Sequence, residues 1–159
     1  MSFIAIIISG IIATTVMSGI QYFYTSATGN AQYIPRLLGA KLMLMSKNTT
    51  FPRNARLNIS IGTIVHYGLG IFFVFAYYTL WSFDIGRPDV IYGLAFGFAH
   101  GIIGILLWKV LFSLPPKSST VNQNNFFIGL LLAHICFSLV AIVSYNFVNQ
   151  LLRIGEIQP

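Results

Sequence analysis

Four long apolar runs, at roughly 2–24, 59–81, 90–112 and 126–148, constrain this chain more than any other feature. Each reaches the length of about 20 residues that a helix needs to cross the hydrocarbon core of a bilayer. Lipid offers no partner for backbone N–H and C=O groups, so a spanning run must close its own hydrogen bonds as an α-helix. The sequence therefore predicts an all-α fold, a four-helix transmembrane bundle forming a single integral membrane domain over residues 1–159. Composition agrees. Hydrophobic residues make up 56% of the chain and charged residues 8%, and mean hydropathy is +0.78. A soluble domain carries roughly 25% charged residues to solvate its surface.

Within the four runs only Lys109 is formally charged, close enough to an end for its ammonium to snorkel to the interface. Aromatic residues gather near the ends, at Tyr22, Phe23 and Tyr24, at Tyr77, Tyr78 and Trp81, and at Tyr92 and Trp108. Amphipathic rings favour headgroup depth. The first run has no cationic segment before it, and it is longer than the apolar stretch of about 7–15 residues in a secretory signal, so it reads as a retained span. Cys136, the single cysteine, lies within an apolar run and reads as a small buried apolar residue.

The basic residues give the orientation. Arg36, Lys41, Lys47, Arg53 and Arg56 fall in the first connection, and Lys109 and Lys117 at the third; only Arg87 and Arg153 lie on the other side, with all three acids, Asp84, Asp89 and Glu156. Seven against two predicts both termini on the non-cytoplasmic side. The net charge of +6 does not point to nucleic acid, because no stripe of Lys and Arg interleaved with aromatics is present. In the first connection, 35–47 reads as a short helix, with Ile34, Leu38, Leu42 and Met45 at helical spacing and Pro35 suited to its first turn. Its basic residues place it along the cytoplasmic interface near anionic headgroups, or else tethered against the bundle.

Gly93, Gly97 and Gly101 follow one another at four-residue spacing and strip one face of the third span of side chains. Such a face lets a neighbouring backbone approach closely. Gly62, Gly68 and Gly70 in the second span, and Gly10, Ala13 and Ser18 in the first, are the expected receivers within the chain; a second subunit is the alternative.

Each of the three histidines, His66, His100 and His134, lies in a different span. An imidazole in hydrocarbon needs a partner and so faces the bundle interior. His66 and His134 lie about eight residues from the cytoplasmic ends of their spans, about 12 Å at 1.5 Å per residue, and His100 reaches a similar depth. The three rings are thus expected to meet. A small residue follows each by one turn, Gly70, Gly104 and Ser138, leaving room beside the imidazole. Thr63 and Tyr77 share the helical face of His66, Tyr145 that of His134, and Thr14, Met17, Ser18 and Gln21 one side of the first span. Several roles are compatible with this pattern: hydrogen bonds that lock the helices; a copper, zinc or iron ion held by the histidines, with the Met17 thioether favouring Cu(I); a haem b held by two of them; or a proton or small-solute path.

The segments Gly10–Met17, Ile34–Gly39, His66–Gly70 and His100–Gly104 resemble those of YagU-like bacterial inner-membrane families of unknown function. The resemblance implies a bacterial inner-membrane location and a His-x-x-x-Gly face, from which Ser138 departs; it implies no activity. No acid, base and nucleophile are grouped in the sequence as catalysis requires. The expected partners are lipid and either other membrane subunits, for which the chain would be an accessory or structural subunit, or a second copy. A transporter built on this chain would need that copy, meeting along Gly93, Gly97 and Gly101.

Overall fold

The computed structural model describes residues 3–29, 34–45, 55–114 and 122–155. Five helices follow one another: α1 (Phe3–Ala27), α2 (Ile34–Met45), α3 (Ala55–Ser82), α4 (Val90–Ser113) and α5 (Gln123–Gly155). No strand occurs among the described residues. α1, α3, α4 and α5 are long and apolar enough to cross a membrane. Their outward faces carry large apolar side chains, with Phe23 76%, Ile64 72% and Ile91 77% exposed. An apolar surface this extensive suits lipid rather than water. The fold is all-helical, with four helices of the length and composition of a polytopic membrane protein.

Helix ends follow local backbone chemistry rather than hydropathy. α4 starts where Asp89 caps it, the carboxylate accepting from the Tyr92 N–H at 3.0 Å. The turn before it places Asp84 (φ 60°) and Gly86 (φ 82°) in the left-handed region. Asn146 on α5 donates to the Pro88 carbonyl at 3.0 Å and ties this turn to the bundle. α5 runs on past the apolar stretch to Gly155 and comprises 33 residues, about 50 Å at 1.5 Å per residue. The polar Asn149 and Gln150 extend it because they do not interrupt helical hydrogen bonding.

The glycine face of α4 packs against α5, not against α1 or α3 as the sequence suggested. A Cβ added to Gly97 would lie 2.7 Å from the Ile135 Cα and 3.0 Å from the His134 carbonyl oxygen; one on Gly101 would lie 2.6 Å from the Leu131 Cδ1. This face is therefore already covered within the chain and is not free for a second copy. The expected receivers serve other crossings. Gly70 of α3 admits the Thr14 hydroxyl of α1, and Gly10 of α1 faces the Ile71 backbone, its added Cβ falling 2.7 Å from the Ile71 Cα. Gly68 has nothing within 4 Å.

α2 is anchored to α3 by the closest backbone approach in the structure: a side chain on Gly39 would strike the Asn58 carbonyl, and one on Gly62 the Pro35 carbonyl. Ile34 and Leu38 turn inward and join Trp108, Phe112 and Phe126 in a core at one end of the bundle. Lys41 shares their face. It is only 4% exposed, and its ammonium donates to the carbonyl of Leu114, the C-cap of α4, at 3.1 Å. The cation satisfies a helix C-terminus, where the dipole favours positive charge, as in the alternative that tethers this segment against the bundle. Arg36 and Arg56 are exposed, and Lys47 and Arg53 lie outside the described residues.

Candidate functional site

All three histidines line one cavity of about 190 Å³ inside the bundle. They are 7–8% exposed, and each is held by a different partner. On α5, His134 Nδ1 lies 2.7 Å from the Leu130 carbonyl oxygen. A carbonyl only accepts, so Nδ1 carries the proton and Nε2 is a bare acceptor. On α3, His66 Nε2 lies 3.0 Å from Ser18 Oγ. The Ser18 oxygen also lies 2.8 Å from the Thr14 carbonyl, so its one hydrogen serves either that carbonyl or His66 Nε2, and the His66 tautomer follows the choice. On α4, His100 Nδ1 lies 3.0 Å from the Tyr77 hydroxyl, which is 2.6 Å from Ser138 Oγ. This short chain ties α3, α4 and α5 together.

The rings of His100 and His134 meet edge to face with centroids 4.5 Å apart, and Phe73 stacks on His100 at 3.5 Å. Met17, buried at 8% exposure, lines the same cavity from α1. The structure thus gathers the expected site residues His66, His100, His134 and Met17 around one space. Among the described residues no group of three His, Cys, Asp or Glu is placed to hold a metal ion. Two imidazoles on opposite sides of one metal, with bonds of about 2.0 Å, separate their nitrogens by about 4 Å before either ring radius is added. Centroids 4.5 Å apart do not frame a haem in that way.

The small residues one turn after each histidine serve other helices. Gly104 makes room for His134 rather than for His100: a Cβ there would lie 3.1 Å from both Cε1 and Nε2 of His134. Gly70 accommodates Thr14, and Ser138 receives Tyr77. Tyr77 partners His100, and the Tyr145 ring lies tilted against Trp81 with centroids 5.5 Å apart. Phe73 escaped the sequence reading, although His66, Gly70, Phe73 and Tyr77 recur on one face of α3 at helical spacing.

Two further observations shape the site. The buried polar side-chain atoms without a hydrogen-bond partner, among the described residues, are Gln21 Oε1 and Trp81 Nε1. Gln21 is 1% exposed, donates from Nε2 to the Phe126 carbonyl at 3.3 Å, and leaves Oε1 enclosed near Gly129. An orphan acceptor of this kind costs about 1–3 kcal/mol. The unbonded nitrogens of the three histidines are not among these enclosed atoms, and the residues that carry them line the cavity.

The cavity opens sideways. α3 and α4 are not a closely packed helix pair; aromatic side chains bridge them at Phe73–His100 and Tyr77–Phe96. Beyond that bridge, the cavity is flanked by Leu69 and Phe72 on α3 and by Ile103 and Leu107 on α4, which are 39%, 57%, 55% and 49% exposed. These side chains face the lipid-side exterior, so the mouth is apolar and the back wall is polar. No protein-family model matches the chain, and no curated protein or solved structure matches it either.

Proposed function

We propose that this membrane protein binds a small lipid-soluble molecule, which reaches the histidine-lined cavity sideways through the gap between α3 and α4. One observation carries the reading: a buried cavity of about 190 Å³ with imidazoles on its inner wall and exposed apolar residues at its mouth. Ligand sites combine an apolar lining with a few convergent polar groups. An engineered apolar cavity of about 150 Å³ admits benzene, so this one has room for a single substituted ring. The chain then acts as an accessory binding subunit in the membrane. Both termini lie on the non-cytoplasmic side in this reading, supported by the seven-to-two distribution of Lys and Arg. The resemblance to YagU-like families supports a bacterial inner membrane as its location.

A photoreactive aryl diazirine in proteoliposomes tests the binding. It is expected to label Met17 or His134, which are buried from the bilayer, and the labelling is expected to disappear in Gly104→Leu, which fills the space beside His134. Labelling confined to outward residues such as Phe72 and Ile103 would refute the cavity as a binding site.

A further inference from the structure

We infer that the cavity selects a molecule whose ring head donates hydrogen bonds, a phenol or quinol carried in the lipid phase, over the same ring without hydroxyl hydrogens. The inference rests on the binding reading above and adds the polarity of the ligand. One tautomer on the cavity wall is fixed by its neighbour. His134 Nδ1 must donate to the Leu130 carbonyl, so His134 Nε2 is an acceptor. His66 and His100 are adjustable, because the Ser18 hydrogen serves either His66 Nε2 or the Thr14 carbonyl and the Tyr77 hydrogen either His100 Nδ1 or Ser138 Oγ. A ligand made only of acceptors would set lone pair against lone pair at His134 Nε2.

A neutral donor fits better than a cation. Asp84 and Asp89 lie in the α3–α4 turn, away from the cavity lining, so among the described residues no carboxylate is there to balance a buried ammonium. Phe73 and Phe137 supply flat aromatic walls for a ring. The exposed Leu69 and Ile103 at the mouth leave an apolar path for a tail that remains in lipid.

The experiment uses the full chain in proteoliposomes and measures displacement of the diazirine label under argon. The competitors are a decyl-tailed benzoquinol, its difluoro analogue with fluorine in place of each hydroxyl, and the corresponding quinone. The quinol is expected to displace the label at a concentration about tenfold lower than either counterpart, the ratio that one to two net hydrogen bonds supply. The ratio is expected to fall toward unity in His134→Phe while labelling of Met17 persists. Equal displacement by quinol and difluoro analogue in the wild-type chain would overturn donor selection and leave the binding reading standing. A ratio unchanged in His134→Phe would overturn the assignment of this acceptor. Absence of any buried labelling would instead refute the binding reading itself.

Discussion

The Nδ1–H of His134 donates to the Leu130 carbonyl one turn earlier on α5, at 2.7 Å, and turns the Nε2 edge of the ring toward Gly104 of α4. One local bond thereby fixes both the tautomer and the helix face against which the imidazole sits. The same logic, a polar or small residue on one helix defining the room left on another, governs the expected responses to substitution.

Gly97→Ala is expected to destabilise the bundle by about 1–3 kcal/mol, the usual cost of overpacking, because the new methyl would lie 2.7 Å from the Ile135 Cα. Backbone cannot swing aside as a side chain does. Gly19 is the control, since nothing lies within 4 Å of its added Cβ. Gly19→Ala is expected to be neutral or slightly stabilising in detergent unfolding titrations.

Tyr77→Phe removes one hydroxyl and leaves both His100 Nδ1 and Ser138 Oγ without it. Interhelical hydrogen bonds in membranes are worth about 0.6 kcal/mol on average and about 1.7 at most, so a loss of about 1–2 kcal/mol is expected. Ser138→Ala is expected to cost less, and the double variant less than the sum of the two. Full additivity would show that the three groups do not act as a chain.

Gln21→Leu is expected to leave the ligand-free protein as stable as before, or more stable by about 1 kcal/mol. It exchanges the lost Nε2 bond to Phe126 against relief of the enclosed, unpartnered Oε1. Thermal unfolding in detergent measures this directly. A loss of several kcal/mol would mean that Oε1 has a partner after all.

Lys41→Met retains the aliphatic packing of the side chain but removes the ammonium from the Leu114 carbonyl. The expected loss is about 0.5–1 kcal/mol, with faster amide exchange confined to the last turn of α4. Unchanged exchange there would argue against a capping role.

Orientation is tested with single cysteines in a Cys136→Ser background. Lys117→Cys is expected to resist a membrane-impermeant maleimide in intact cells and to react after lysis, whereas Arg87→Cys reacts in both. The opposite pattern would reverse the proposed topology.

Four membrane helices are legible in the sequence because each depends on local quantities, the length of an apolar run and the need to close backbone bonds where water is absent. The polar interior was legible too: His66, His100 and His134 do turn inward, to 7–8% exposure. Which side chains meet there was decided only by the tertiary structure. A helix that is apolar all round does not mark its inner face by hydropathy, and a glycine face states that something packs closely without stating what. So Gly93, Gly97 and Gly101 met α5, Tyr77 met His100, and Lys41 met the end of α4. The cavity is lined by both α3 and α4, which meet through the Phe73–His100 contact rather than as a closely packed pair, a pairing that no spacing of residues along one chain specifies.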